Sequence, residues 1–485
     1  MSISSSLANA LSGLTASARA AQVVSSNVSN AMTEGYARRE LMLSARVTVG
    51  IGSGVQVDGV RRVVDEALLS DRRLADATLG QAGAQSKYLE QLQAALGLPD
   101  EPGSLDAAVA AFDASLIEAS SKPDSDVRLS AVLDAAQSLV RTLSDASDDV
   151  QNVRVAADRD IAVEVSRIND GLAQVAELND LILRARTSQT ENPALEDQRQ
   201  QVIDQIADLV PLRQLQRENG TIALYSTSGQ LLVDVEPAVF EFTQTEPTTA
   251  DMTLASGALS GLSVNGQPIS VSGTSSSFAG GRLAALFEAR DDTAVGAQAR
   301  LDGLARDLVE RFEDPGVDTT LLPGDAGLFT DGGDPLDLAD LTGLAARLSV
   351  NDAVVPSAGG ELWRLRDGIN AAVPGPVGDN ALLQRMSDAF SATRTASDPI
   401  LGGAGRSFGG FVGDAVAGLA REAETAEQRA VFSTAQRDAL KEAELSQGVD
   451  TDQEMQKLLL IEQAYAANAR VIQTIDQMIR ALLDI

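Results

Sequence analysis

Helical spacing of apolar residues dominates both ends of this chain, and strand-like alternation interrupts it in two places. From Leu7, steps of four and three pick out Leu7, Leu11, Leu14, Ala18, Ala21, Ser25, Val28 and Met32, which predicts one amphipathic helix. Small residues fill its second half, so a second helix could approach closely. Thr33-Glu34-Gly35 then stops the pattern. Tyr36-Ala37-Arg38-Arg39 leads into an alternating stretch that predicts a short hairpin near 40–60. At the far end, from Met455, the residues Leu458, Ile461, Tyr465, Asn468, Ile472, Ile475, Ile479 and Leu482 recur at three and four, about four heptads of a coiled-coil seam. Its one strongly polar position, Asn468, is of the kind that fixes register at some cost in stability.

Between these ends the spacing is helical from Val63 to about Arg213, with a stop at Gly97 and Pro99. A run from Asp126 to Arg186 contains no Pro and only Gly171, a length that favours a rod-like bundle. From 218 to 280 the composition turns to Thr, Ser, Gly and Val. "TIALYSTSGQLLVDV" and "LSVNGQPISV" predict hairpins, the second around Asn265-Gly266. Helix resumes in "GGRLAALFEARDDTAVGAQARLDGLARDLVERFED", gives way to loops over 315–374, and returns in "NALLQRMSDAFSATRT" and "AREAETAEQRAVFSTAQRDALKEAELS". The predicted fold is mainly α, a long helical bundle or coiled-coil rod formed by the N- and C-terminal parts. Its divisions are terminal helices at 1–33 and 446–485, a rod from 34–217, 281–314 and 375–445, a β-rich insertion at 218–280 and a loop-rich, reduced outer region at 315–374.

Composition narrows the chemistry. Lys and Arg number 38 against 69 Asp and Glu, for a formal charge of −31, which speaks against nucleic acid or an anionic membrane as partner. The first 33 residues, with one Arg and no acidic residue, stand outside that acidic background. The chain contains no Cys and no His, which removes disulfides, thiolate and imidazole catalysis and the common transition-metal sites together. No catalytic, cofactor-binding or metal-ligating set is left to name, and a non-enzymatic role is expected. "GIGSG" at 50–54 lacks the following Lys-Ser/Thr of a phosphate loop and predicts a strand turn. "DGGDPLDLADL" lacks the spacing and closing Glu of an EF-hand and predicts a loop leading into a helix capped near Asp334. The N-terminus does not read as a cleaved signal peptide, and no apolar run is long enough to predict a membrane span.

"SSNVSNAMTEGYARRE" resembles the Asn-Ile-Ala-Asn-x-x-Thr-Pro-Gly-Tyr-x-Arg signature of flagellar rod, hook and hook-associated proteins. Asn27, Asn30, Thr33, Gly35, Tyr36 and Arg38 are in place, with Glu34 where Pro is usual. The ending "GVDTDQEMQKLLLIEQAYAANARVIQTIDQMIRALLDI" resembles the C-terminal motif of the same proteins, matching at Gly448, Val449, Asp452, Glu454, Tyr465, Ala467, Asn468, Ala469 and Val471. Two interior blocks, "ALEDQRQQVIDQIADLVPLRQ" and the Gly-x-Leu, Arg-Asp, Leu-Asp-x-Leu-Ala stretch from Gly281, are similar to the hook-associated protein 1 branch. A sizeable β domain often follows that block in the family. Here only Thr330 to Pro374 occupies its place, so an outer domain is expected to be reduced or missing.

The resemblance implies a structural protein of the bacterial flagellum, secreted through the type III export pathway to the hook–filament junction. The implied partners are further copies of itself in a ring, hook protein on one side, a second junction protein leading to the filament on the other, and an export chaperone. It also implies that the ends are unstructured in the free subunit and pair as inner helices in the assembled tube. Residues expected at that interface are Leu7, Leu11, Leu14, Ala18, Ala21, Val28, Leu458, Ile461, Tyr465, Asn468, Ile472, Ile475, Ile479 and Leu482, with Asn27, Asn30, Thr33, Gly35, Tyr36 and Arg38 as the joint to the body. Two alternatives stand beside this reading: another flagellar axial protein of the hook or distal rod, and a soluble dimeric helical adaptor or secretion chaperone.

Overall fold

A computed structural model describes residues 3–33, 35–48, 51–97, 103–188, 192–271 and 278–483. Glu34 and Pro99, singled out above, lie outside them. The predicted N-terminal helix is α1 (Ile3–Ser29), followed by a long antiparallel hairpin of β1 (Arg39–Thr48) and β2 (Ile51–Arg62). α2 (Glu66–Leu96) opens on Asp65, whose carboxylate accepts from the Ala67 and Leu68 amides. α3 (Leu105–Ser121) and α4 (Asp126–Thr187) are likewise capped by Ser104 and Ser125.

α4 is the spine. Its 62 residues span on the order of 90 Å, and a continuous apolar row from Leu129 through Leu139, Val150, Ile161 and Ile168 to Val175 is buried along it. α5 (Pro193–Ala207) folds back on its far end. Leu212–Gln216, at the edge of the stretch predicted as helix, is instead strand β3. It pairs with β4 (Ile222–Ser226), which pairs with β5 (Leu231–Val233). β6 (Phe240–Glu241), β7 (Leu262–Val264) and β8 (Gln267–Ile269) make a second small sheet, turning at Asn265 and Gly266 with φ of 50° and 73°.

Both sheets are stapled to the spine by amide side chains. Asn179 clamps Ile222, donating to its carbonyl at 2.9 Å and accepting from its amide at 3.2 Å. Asn169 clamps Phe240 in the same way at 2.9 and 2.8 Å. Each clamp satisfies a strand backbone that no neighbouring strand reaches.

α6 (Gly281–Glu288) runs through a π-helical turn, Ala289–Thr293, into α7 (Ala294–Phe312). The extra residue in that turn coincides with fully buried Arg290, which pairs with Asp158 at 2.6 Å and Asp291 at 2.8 Å. The 315–374 region holds a two-stranded sheet of β9 (Phe329–Asp331) and β10 (Leu348–Val350) with the single turns α8 (Leu344–Arg347) and α9 (Arg364–Asp367), all packed on the body. No helix opens at Asp334, contrary to expectation, because its backbone is bridged to Asp331 in a tight turn. Phe112 of α3 meets Phe312, Phe329 and Phe390 at centroid distances of 5.9, 5.5 and 5.1 Å, so this region shares the body's core.

α10 (Ala381–Ser391) precedes α11 (Phe408–Ser446), which starts well before the predicted Ala420. Gly409, Gly410, Gly413 and Gly418 each lower helix propensity in the added turns. Ser407 caps the helix at the Gly410 amide, and Phe408, Phe411, Val412, Ala415, Val416 and Leu419 bury one face, which outweighs the glycine cost. α11 lies along α2, and α12 (Thr451–Leu483) returns beside α1.

Candidate assembly interface

The two chain ends pair with each other. Gly13 of α1 faces Asn468 of α12 so closely that a Cβ would lie 2.7 Å from its Nδ2, and Asn27 bonds Glu454. The sums 13 + 468 and 27 + 454 both equal 481, so the helices run antiparallel in constant register. Ala10, Ser17 and Val24, buried and at heptad steps, lie on the face of α1 that carries Gly13 and Asn27. This small-residue face sits one position ahead of the predicted stripe. Leu7, Leu11 and Ala18 are exposed, Leu11 by 56%, while Leu14, Ala21 and Val28 are half-buried. On α12 the predicted seam is partly enclosed: Ile475 is buried, Leu458, Ile461, Asn468 and Ile472 are half-buried, and Tyr465, Ile479 and Leu482 are exposed.

Hairpin β1–β2 covers a further side of α1, where Ser12 accepts from the Val55 amide at 3.1 Å. The pair is thus braced on one flank and open on the others.

At its base sits the joint. Asn27 is fully buried and uses all its hydrogen-bonding capacity. Its Nδ2 donates to the Arg39 carbonyl and to Glu454 Oε2, both at 2.9 Å. Its Oδ1 accepts from the Tyr36 hydroxyl at 2.9 Å and the Arg39 amide at 3.0 Å. One side chain therefore ties together α1, the entry to the hairpin and the first turn of α12. Asn30 and Thr33 close the end of α1, the Asn30 amide on Ser26 and the Thr33 hydroxyl on Asn30 Oδ1. Gly35 turns the chain with φ +76°, and a Cβ there would lie 2.5 Å from Gln201. Arg38 pairs with Glu40 at 3.0 Å and approaches Glu454 Oε1 to 4.0 Å, and Lys457 holds the same oxygen of that buried carboxylate at 2.7 Å.

The link from joint to body runs through Asp197 of α5, which sequence reasoning missed as an anchor. It pairs with Arg39 at 2.9 Å and Arg62 at 2.8 Å and accepts from the Ala37 amide. Its only signal was its place in the "ALEDQRQQ" block. Glu454 likewise carried a signal, as a matched position of the C-terminal motif, but not its partner Asn27, which is 427 residues away.

A family model described as the helical domain of flagellar hook-associated protein FlgK matches residues 89–327, from the end of α2 through α7. A second, described as the C-terminal part of the flagellar basal body rod FlgEFG proteins, matches 445–485 and so covers α12. The chain is similar to flagellar hook-associated protein 1 in its helical body. The hook-associated protein 1 of Bacillus subtilis is 23% identical, covering 99% of this chain and 97% of its own length. That of Salmonella typhimurium is 28% identical over 48% of this chain and 43% of its own. A solved structure, the flagellar hook junction protein FlgK from Burkholderia pseudomallei, shares 18% identity over 56% of this chain and 47% of that one, with a TM-score of 0.44.

The hub suggests a sharp test of how this chain holds its ends. Asn27→Ala strands both backbone groups of Arg39 and one oxygen of Glu454, and leaves the Tyr36 hydroxyl only the Ser26 hydroxyl at 3.3 Å. The expected loss is about 2 kcal/mol, confined to the joint, since each buried group left unmade costs about 1–3 kcal/mol and part of the shell reaches water. Hydrogen exchange should accelerate across 3–29 and 451–483 and stay unchanged in α4. Equal acceleration in α4 would show that the joint is not a separable unit.

Proposed function

We propose that this chain is a structural, non-enzymatic subunit of the extracellular bacterial flagellum that assembles in a ring at the hook tip and joins hook to filament. The observation that carries the reading is the end-to-end pairing of α1 with α12, which leaves an apolar surface without cover. Leu7, Leu11, Leu459, Leu460 and Leu482 are all exposed. Such a surface is costly in an isolated chain and gains about 25 cal/mol per Å² when neighbouring copies cover it. Assembly then offsets the entropy of ordering the two helices.

A cleft of about 920 Å³ at the joint supports the same reading. It lies where α1, α2, α5 and the link from α11 to α12 meet, and it carries Met32, 98% exposed, with Leu445. Neighbouring subunits stacked along a tube would find apolar contacts there. Hook protein on one side and a second junction protein on the other complete the chain of contacts, and an export chaperone would cover the ends until assembly.

Among the described residues no helix is long and apolar enough to cross a membrane. The rival reading, a soluble dimeric adaptor, uses the same exposed faces for a closed dimer. Sedimentation with limited proteolysis and mass spectrometry separates them. The expected result is a monomer that loses the segments before Arg38 and after Gln447 while α2 to α11 survive, and that adds to isolated hooks. A stable dimer with protected ends would overturn the flagellar assembly reading for those helices.

A further inference from the structure

Next to the open cleft, with which it shares Val64 and Gln200, lies a pocket of about 410 Å³ between β2, the start of α2, the end of α4, α5 and β3. Its lining is unlike the rest of this acidic chain. Arg61, Arg62, Arg73, Arg186 and Arg199 line it against Asp58, Glu66 and Glu196. Five positive charges less three negative leaves +2, in a molecule whose formal charge is −31.

The carboxylates are already engaged. Asp58 accepts from the Ser44 hydroxyl, Glu66 from Gln216, and Glu196 pairs with Arg186 at 3.0 Å and Arg62 at 3.7 Å. Two of the guanidinium groups are not fully matched. Arg199, 5% exposed, donates to Asn179 Oδ1 and the Gly220 carbonyl, both at 2.8 Å, and has no carboxylate within 4.0 Å among the described residues. Burial pushes it down to about 10, Glu196 opposes that, and Arg62, Arg186 and Arg73 add to it. Arg73, 3% exposed, bonds Asp204 and Gln214 through Nε and Nη1, while its buried Nη2 has no hydrogen-bond acceptor among the described residues. A buried donor left unmade costs about 1–3 kcal/mol, more when charged, and a native fold rarely carries one without a reason.

We propose that this pocket binds a small dianionic oxyanion of the phosphate class. Arg199 supplies a charge with no carboxylate partner, Arg73 supplies the free Nη2 of a guanidinium held by Asp204, and Arg186 at the rim supplies a planar donor that can reorient from Glu196 to the ligand. The amino end of α5, at Asn192 and Pro193, also lines the pocket and adds its positive dipole end. The bound anion ties the hairpin, α2, α4 and α5 together at one point. That is the same wall to which Asp197 anchors the joint, so its occupancy would stiffen the base of the terminal pair. The site rests on its own geometry and not on the flagellar reading.

Inorganic phosphate is titrated into the full chain at constant ionic strength, with chloride as the balancing anion, and binding is followed by calorimetry and by the unfolding midpoint. The expected result is saturable binding with a rise in midpoint, reproduced by sulfate and absent with chloride alone. Arg186→Gln should weaken phosphate about tenfold, as expected for one charge-assisted contact, with the phosphate-free midpoint unchanged. Arg184→Gln, on the same helix but outside the pocket, should leave affinity intact. Absence of saturable binding, equal affinity in Arg186→Gln and the unaltered chain, or equal binding of acetate would each overturn the assignment.

Discussion

Ile475→Asp is expected to abolish assembly onto hooks while leaving the thermal unfolding of the α2–α11 body unchanged. Ile475 is 5% exposed and is the one buried large apolar residue of α12 among those described. In the register that sums to 481, it falls opposite Ser6, where α1 offers Ile3, Leu7 and small side chains and no cation. A carboxylate placed there must stay charged without a partner or take up a proton, and either route costs several kcal/mol. A pair of terminal helices held mainly by small-residue packing has little to spare against that. The body has its own core, in which Leu92, Phe112, Leu139, Phe312 and Phe408 are buried, so no route carries the damage there. Electron microscopy of hooks mixed with the variant reads assembly, and calorimetry reads the body. Leu482→Asp is the companion, because Leu482, one heptad on from Ile475, is exposed rather than buried. It should block assembly with the α1–α12 pair intact by hydrogen exchange. Normal assembly by Ile475→Asp, or a fall in the body's midpoint, would remove the separation between assembly element and body on which the reading depends.

The helices and their periods were largely legible because burial in this chain follows regular spacing. The long run from Asp126 to Arg186 became α4, and Asn265-Gly266 became the turn between β7 and β8. What failed was local propensity against tertiary burial. Glycines near Phe408 have low helix propensity yet lie in a buried helix, and β3 was hidden because its partner strand, not its own pattern, defines it. The phase of α1 was legible only to within one residue. The bulkier residues Leu7, Leu11 and Leu14 drew the stripe, while the face that meets α12 is defined by what is absent, the side chains missing from Ala10, Gly13 and Ser17. The joint motif was visible as a resemblance, but its physics lies in partners at the far end of the chain and in α5. Sequence spacing carries no information about contacts at a separation of 427 residues.

Several polar positions inside the interior blocks, among them Asp197, Arg290, Asp302 and Asp307, are buried staples rather than surface marks. Asp302 accepts from the Gly343 and Ala345 amides and so pins the reduced outer region to α7. Burial raises the pKa of that carboxyl while those two amides and Gln298 pull it down. Arg290 fixes the π-helical turn against α4, and Arg154 beside it holds the loop carrying Thr249 and Met252 by their carbonyls. In a chain with few aromatic residues, such staples define relative positions of helices that Ala, Leu and Val alone would leave free to slide. Stability should therefore be concentrated at these points.

Asp307→Ala tests that concentration at the most enclosed pair in α7. Asp307 and Arg311 are each buried to 1% side-chain exposure, and the Arg311 Nε donates to Asp307 at 2.6 Å. Asp307 also pairs with Arg394 at 2.8 Å, and it is the sole carboxylate within 4.0 Å of Arg311 among the described residues. The rest of the Arg311 guanidinium is spread over backbone carbonyls, donating to Ala389 at 2.7 Å, Ala392 at 2.8 Å and Arg406 at 3.2 Å. One charged pair thus satisfies the carboxyl end of α10 and the strand-like bridge between Arg394 and Arg406 that leads into α11. Removing the carboxylate leaves a buried cation with dipoles but no counter-charge, a loss of about 3–5 kcal/mol. That is a large share of the stability of any folded domain. The expected readout is a lowered denaturant midpoint for the body, with fast exchange beginning in α10 and the start of α11. Arg311→Met in the same background should recover part of the loss, because the stranded charge disappears while the Ala389 and Ala392 carbonyls lose their donor. A single variant within about 1 kcal/mol of the unaltered chain would mean that the carbonyls alone suffice, and the staple account of the interior blocks would fall with it.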